Sequence, residues 1–189
     1  MLPAAVMAKA QQEFINWRDS GCSVMEVSHR GADFIEIAAQ AEQDLRDLLK
    51  VPDNYKVLFL QGGGRGQFAA VPLNLSTSDD TSLHLVSGSW SSGAVDEANK
   101  YNNAKIIGQV VEHNGFQTVP KPALSDIDQS AAYLHFCPNE TVDGIAFDWL
   151  PEAGNVPLVA DMSSNILSKP IDVSKYGVIY AGAQKNIGP

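Results

Sequence analysis

KVLFLQ (56–61) runs directly into GGGRG (62–66), so that a short apolar segment ends at three consecutive glycines. Similar apolar runs recur along the rest of the chain, and helical stretches fit between some of them. We predict strands at 56–61, 82–89, 104–111, 131–137, 155–161 and 176–182. Several of these segments are apolar on both faces, as parallel strands covered by helices are. The pattern predicts an α/β fold, a three-layer α/β/α sandwich with a mostly parallel sheet.

Helical patterns fill much of the remaining sequence. Helices are predicted over 3–20, 33–49 and 91–103. Asp33 is the predicted N-cap of the second of these, because the apolar side chains that recur at three- and four-residue steps begin directly after it. The helix that follows GGGRG is expected to be short or kinked at Pro72. SVMEVSHRG (23–31) has no helical period and predicts a loop.

The composition predicts a folded protein and excludes nucleic-acid binding. The chain has 189 residues, of which 13 are basic and 22 acidic, giving a net charge of −9. Hydrophobic residues make up 44% and charged residues 19%, which is too apolar for a disordered chain. A nucleic-acid-binding surface needs basic side chains to displace counterions, and an excess of acid opposes this. One large domain is the expectation for this length.

Membrane segments, secretion and metal sites are not predicted. No apolar run approaches the roughly 20 residues of a membrane-spanning helix. The first residues lack the basic and apolar regions of a signal peptide. Cys22 and Cys137 are too few for a disulfide framework and lack metal-ligand spacing, so we expect two reduced thiols in a cytoplasmic protein.

Four unusual features follow the predicted strands, where ligands bind in open α/β sheets. They are the glycine-rich GGGRG, Trp90, Asp161 and Lys185. Each has an ordinary explanation: a tight turn, core packing, helix capping and a surface charge, respectively. Together they supply a phosphate-binding turn, an aromatic ring, an acid for a ring nitrogen and an amine for an aldehyde. These are the groups that hold pyridoxal phosphate.

Longer segments of the sequence resemble a known family. VMEVSHRG (24–31), GGGRGQFAAVPLNL (62–75), HFCPNETVDGI (135–145) and AGAQKNIGP (181–189) are similar to the phosphoserine aminotransferases, which are class-V, fold-type-I pyridoxal-phosphate enzymes. AGAQKNIGP and the PNET segment are the most specific of these motifs. The similarity extends through the whole chain, without a foreign segment.

The resemblance implies roles around the ring of pyridoxal 5′-phosphate. Lys185 would form the Schiff base with the cofactor, and Asp161 would pair with the pyridine nitrogen. Trp90 would stack on the ring, and Thr141 would hydrogen-bond its phenolic oxygen. Lys185 and Asp161 are therefore the predicted catalytic residues.

The resemblance also implies two anion sites. The backbone amides of Gly64 and Arg65, with the Gln184 side chain, would bind the cofactor phosphate. His29 and Arg30 match a loop that helps to bind the phosphorylated substrate across a dimer interface. The ordinary alternative for that pair is a surface loop, although a guanidinium suits anion binding on an acidic protein.

The implied activity is an amino-group transfer in a homodimer with a shared active site. Glutamate and 3-phosphohydroxypyruvate would exchange an amino group with O-phosphoserine and 2-oxoglutarate, in serine biosynthesis. The related 4-phosphohydroxythreonine pair would serve pyridoxine biosynthesis. An inactive fragment, another small-molecule aminotransferase or a desulfurase on the same scaffold are alternatives. A dinucleotide-binding module is less favoured, because no fingerprint motif matches.

The chain also departs from the family in length. Family members are about twice as long, with a segment before Met1 and further residues beyond Pro189. We therefore expect residues 1–189 to form the cofactor-binding large domain without its N-terminal segment, its last strand and the C-terminal small domain. Because the absent strand lies inside the sheet, unpaired strand edges and apolar faces should be exposed. In isolation, this stretch is expected to be unstable or inactive.

Overall fold

A parallel sheet occupies the centre of the computed structural model, which describes residues 2–188. The helices are α1 (Ala4–Ile15), α2 (Ala32–Leu49), α3 (Gly63–Leu75) and α4 (Ser89–Ala98). The strands are β1 (Thr81–Val86), β2 (Asn103–Gln109), β3 (Val111–His113), β4 (Phe116–Thr118), β5 (Tyr133–Phe136), β6 (Leu158–Asp161) and β7 (Val178–Tyr180). Short 3₁₀ turns occupy several of the connections. No helix within residues 2–188 is long and apolar enough to span a membrane.

Five of the strands form one sheet in the order β2-β1-β5-β6-β7, and every neighbouring pair is parallel. The chain moves from β1 outward to β2 and then returns to the other side of β1 to form β5. The carboxyl ends of β1 and β5 therefore border the switch point, where ligands bind in such sheets. The expected α/β class with a mostly parallel sheet is confirmed. β3 and β4 form a separate antiparallel hairpin.

Helices and loops cover the two faces of the sheet. On one face, Phe68 and Val71 of α3 and Ala94 of α4 pack against Tyr133 and Val159. The other face carries the larger core, which is closed mainly by loop residues. Strands buried on both faces are rich in apolar side chains, which explains the apolar runs in their sequences.

The predicted strand at 56–61 is wrong, because these residues form no strand. The side chains of Leu58 and Leu60 are 71% and 64% exposed. A strand is held by hydrogen bonds to a neighbour, and no described strand lies beside this segment. Just before this segment, Tyr55 connects the chain to the residues that precede β7: its hydroxyl donates a hydrogen bond to the Tyr176 carbonyl at 2.7 Å.

The helix boundaries differ in four places from the sequence prediction, one of which is α4, which spans Ser89–Ala98 rather than 91–103. The first helix ends at Ile15 rather than near residue 20, since the backbone of Asn16 is extended, with φ of −152° and ψ of 92°. Gly31, not Asp33, is the N-cap of α2, and Asp33 lies in the first turn. α3 passes through Pro72 without ending, although it stops three residues later at Leu75. The proline has no N–H to donate to the carbonyl four residues before it, yet the helix continues for three residues beyond it.

Candidate active site

A cavity of about 370 Å³ opens at the carboxyl ends of the sheet strands. Seven of the nine site residues predicted from the sequence line it: Gly64, Arg65, Trp90, Thr141, Asp161, Gln184 and Lys185. They come from five separate parts of the chain, which the parallel sheet brings to one edge. The volume lies within the range of small-molecule sites.

The N-terminus of α3 forms one wall of the cavity. Gly62 and Gly63 have φ values of +100° and +61°, which residues with a side chain adopt rarely. Gly62 is the N-cap, so no side chain caps the first turn of the helix. A Cβ atom on Gly64 would lie 2.7 Å from Ser163 Oγ, so a side chain here would force the Ser163 hydroxyl to move. The uncapped amides and the helix dipole can bind an anion at this wall.

Asp161 ends β6 and is 8% exposed. Its Oδ1 accepts a hydrogen bond from the Ser163 backbone N–H at 2.9 Å. Burial raises the pKa of the Asp161 carboxyl, an effect that Ser163 and the charge of Lys185 oppose and that Glu140 reinforces. A cation bound beside this carboxylate would favour its ionised form.

Lys185 lies in the turn that follows β7. Its Nζ donates a hydrogen bond to Thr141 Oγ1 at 2.5 Å, across from the loop that follows β5. The same turn is joined to the loop after β6, because the Gly182 N–H donates to Ser163 Oγ at 2.8 Å. The turn therefore holds the amine at the cavity beside two other strand ends.

Trp90 lies in the first turn of α4, close to the end of β1, and its side chain is 38% exposed. It is therefore not a fully buried core residue. The indole borders the cavity, which it shares with Thr141 and Asp161. An exposed aromatic face beside a cavity can stack on a planar ligand.

His29 and Arg30 lie elsewhere. Both are exposed in the turn before α2, and neither lines the cavity. Their predicted role in substrate binding across a dimer interface stays a prediction.

Sequence reasoning missed Glu140, which is only 1% exposed. Its Oε1 accepts hydrogen bonds from the Ser91 N–H at 2.8 Å and from Ser91 Oγ at 2.6 Å. Its Oε2 accepts from the Trp90 N–H at 3.2 Å. A glutamate four residues after an apolar strand was the available signal, because such a group must find donors when buried.

A polar row on the sheet face behind the cavity was missed as well. His135 Nε2 lies 2.7 Å from the Tyr180 hydroxyl, and His84 Nε2 lies 2.9 Å from Ser82 Oγ. Burial lowers the pKa of His84 to about 4 and lowers that of His135 well below its ordinary value. Both imidazoles are therefore neutral at pH 7. In the sequence, they alternate with apolar residues and look like ordinary strand positions.

The chain belongs to the class-V aminotransferase family, whose pattern it matches over residues 1–189. A phosphoserine aminotransferase from Idiomarina loihiensis is 56% identical over 190 residues, which cover 100% of this chain and 52% of that protein. The chain thus spans about half the length of the curated relatives it matches.

Solved structures agree with this assignment. The phosphoserine aminotransferase from Bacillus circulans subsp. alkalophilus is 41% identical, with a TM-score of 0.90 over 100% of this chain and 52% of that one. A phosphoserine aminotransferase from Trichomonas vaginalis, solved with bound PLP, is 38% identical, with a TM-score of 0.86 over 100% of this chain and 53% of that one. The cavity therefore lies in a fold that is shared with a cofactor-bound relative.

Proposed function

We propose that this chain is part of a pyridoxal-phosphate-dependent phosphoserine aminotransferase. The reaction would exchange an amino group between glutamate and 3-phosphohydroxypyruvate. The observation that carries the proposal is the convergence of a buried acid, an amine and an uncapped helix N-terminus on one cavity. The 56% identity to a phosphoserine aminotransferase supports this reaction among those of the family.

The residues present fit pyridoxal 5′-phosphate. The amides of Gly64 and Arg65, with Gln184, would bind its phosphate at the start of α3. Asp161 would pair with the ring nitrogen, a role that suits a carboxylate whose pKa burial has raised and which gains from an adjacent positive charge. Lys185 would hold the cofactor covalently through Nζ.

Two further side chains would fix the orientation of the cofactor ring. Trp90 would lie against the face of the ring, and Thr141 would bond its phenolic oxygen. When bound, the cofactor supplies a ring that accepts electrons from the substrate Cα.

The chain's own residues would manage the proton and the charge. When it no longer holds the cofactor, Lys185 Nζ would act as a general acid–base group. It would take the proton from the substrate Cα and deliver it to C4′ of the cofactor. The bond from Lys185 Nζ to Thr141 Oγ1 holds the amine on the side of the cavity that the loop after β5 borders. Asp161 would supply the negative charge that keeps the ring nitrogen protonated.

Substrate binding involves the remaining predicted pair. We place His29 and Arg30 at the phosphorylated substrate of a partner subunit, in a homodimer with a shared active site. Their exposure in the turn before α2 leaves them accessible to a second copy. The enzyme would serve serine biosynthesis, and pyridoxine biosynthesis through 4-phosphohydroxythreonine, in the cytoplasm.

Residues 1–189 would form the cofactor-binding large domain of a longer enzyme. The exposed apolar side chains of Leu58, Phe59 and Leu60 support this, as does the outer edge of β7, beside which no strand lies within residues 2–188. A further strand at the outer edge of β7 would pair with β7 and with residues 56–60, and it would bury the apolar side chains of that segment.

Acceptor selectivity tests the proposed reaction. The full-length protein, loaded with pyridoxal 5′-phosphate, is assayed with glutamate and either 3-phosphohydroxypyruvate or its unphosphorylated analogue. We expect a kcat/KM at least roughly 100-fold higher for the phosphorylated acceptor, since each charge-assisted bond is worth about 1.5–3 kcal/mol. Arg30→Ala should remove most of this preference, whereas Arg18→Ala, a change at another exposed arginine, should not. Equal rates with both acceptors, or release of sulfur from cysteine as the main activity, would contradict the proposal.

A further inference from the structure

Two carboxylates of the loop after β5 bind the N-terminus of α4. Glu140 accepts hydrogen bonds from the N–H groups of Trp90 and Ser91. Asp143 Oδ2 accepts one from the Ser89 N–H at 2.7 Å. The first N–H groups of a helix have no partner within the helix, so three of them are here bonded to a single loop.

The contact extends to the end of β1 through Ser91. Ser91 Oγ accepts hydrogen bonds from the N–H groups of Ser87 and Gly88 at 2.8 and 3.0 Å. It lies 2.6 Å from Glu140 Oε1 and is itself buried. The buried carboxylate therefore has three donors and faces the positive end of a helix, which together offset the cost of removing its charge from water.

Gly88 permits the approach of Asp143. A Cβ atom on Gly88 would lie 2.7 Å from Asp143 Cγ, closer than unbonded carbon atoms come. The close contact between the loop and the helix thus depends on a glycine as well as on the two acids. We refer to Glu140, Asp143 and the three amides they accept from as the α4 clamp.

The α4 clamp joins the two strands that border the switch point. α4 follows β1, and the loop follows β5, its neighbour in the sheet. Each side contributes to the cavity lining: the Trp90 N–H donates directly to Glu140, and Thr141 is the next residue after Glu140. Displacement of the carboxylate would therefore change the distance between the indole and the threonine hydroxyl.

We infer that Glu140, assisted by Asp143, is a positioning residue that fixes the Trp90 indole relative to Thr141 and Lys185, an inference that rests on the proposed function. The clamp acts through the backbone of α4 and does not touch the cofactor. Its effect is to hold the stacking surface and the hydroxyl at the spacing that one planar ring requires. A carboxylate is needed because the two oxygens accept from different residues.

Glu140→Gln tests this in the full-length protein with pyridoxal 5′-phosphate. An amide keeps one accepting oxygen and replaces the other with a donor, which cannot bind the N–H of Trp90. We expect the dissociation constant of the cofactor to rise roughly tenfold, the loss of about one hydrogen bond. At saturating cofactor, the visible circular dichroism per bound molecule should also fall, because the ring is held less firmly.

Asp172→Asn is the matched control. Asp172 also accepts from a serine N–H and hydroxyl, at 3.1 and 2.6 Å from Ser174, but it does not line the cavity. The control should lower stability without changing the dissociation constant of the cofactor or its visible circular dichroism. If Glu140→Gln does not fold, Asp143→Asn, at an exposed position, should produce smaller changes in the same direction.

A second readout requires no cofactor. Amide hydrogen exchange at Trp90 should be roughly tenfold faster in Glu140→Gln than in the wild type, since this amide loses its acceptor. Unchanged exchange together with unchanged circular dichroism would overturn the inference, as would equal cofactor effects in Asp172→Asn. A wild-type protein that binds no pyridoxal 5′-phosphate would instead overturn the proposed function, so the two failures are distinguishable.

Discussion

The carboxyl end of the sheet and the N-terminal segment 2–60 differ in how completely they are packed. All residues of β5 and β6 are buried, and Leu134 and Val159 are 0% exposed. In contrast, no residue of α1 or α2 is fully buried. Both regions are rich in apolar side chains, so hydrophobicity alone does not explain the difference.

The difference lies in the availability of partners. β5 and β6 each have a strand on both sides and a packed layer on both faces. The segment 56–60 has no strand beside it within residues 2–188, and its apolar side chains face outward. The site residues on β6 and in the turns after β5 and β7 are therefore positioned by the well-packed part of the molecule.

The largest expected contrast is in the cost of removing a leucine side chain. Leu134→Ala should lower the free energy of unfolding by about 2–5 kcal/mol, because it leaves a cavity in the core. Leu60→Ala should change it by less than about 0.5 kcal/mol, as is usual for exposed positions. Urea titrations of both variants measure this. Equal costs would mean that the N-terminal segment packs as tightly as the sheet.

A second contrast concerns protonation in the interior. In the unfolded chain, His84 becomes protonated near its ordinary pKa of 6.5. In the folded protein, burial lowers this pKa to about 4. Stability should therefore fall as the pH drops below about 6.5, with a loss approaching about 3 kcal/mol near pH 4. His135 contributes in the same direction.

His84→Gln should reduce this acid-dependent loss. His113→Gln, which removes an exposed histidine from the β3–β4 hairpin, is the control and should leave the loss unchanged. Unfolding free energies at pH 7, 6, 5 and 4 give the comparison. The same slope in His84→Gln as in the wild type would contradict the burial argument.

The smallest expected effect on stability concerns Asp161. Because burial raises the pKa of its carboxyl in the folded state, stability is lost as the pH rises above about 3.8 and through the folded pKa. Asp161→Asn cannot ionise and can still accept from the Ser163 N–H, so the cofactor-free variant should be more stable than the wild type at pH 7. Its turnover should fall roughly 100-fold, as when a stabilising charge is removed. A variant that is both less stable and fully active would contradict this role.

The sequence predicted the central strands because burial on both faces leaves a predominantly apolar run. It was wrong for 56–61, because an apolar run does not reveal whether a neighbouring strand exists. Asp33 was mistaken for an N-cap because aspartate suits both the cap and the first turn of a helix. For 56–61 the deciding contact involves residues far away in the sequence, whereas for Asp33 it is the extended backbone of Gly31, which sequence pattern alone does not specify.

The cavity residues followed from their positions after strands and from a family resemblance. Glu140 was not predicted as a site residue, although it is adjacent to Thr141. Its partners, Trp90 and Ser91, lie about 50 residues earlier, and only the pairing of β1 with β5 brings them together. Likewise, the lowered pKa values of His84 and His135 result from burial that a single strand sequence does not specify.

Reduction of the cofactor-loaded protein with borohydride, followed by peptide mapping, tests the central claim most directly. Lys185 lies in the cavity that Asp161 and the start of α3 also line. We predict a visible absorbance band that disappears on reduction and one modified peptide, which contains Lys185. A band that survives reduction, or a modification on a different lysine, would contradict the account.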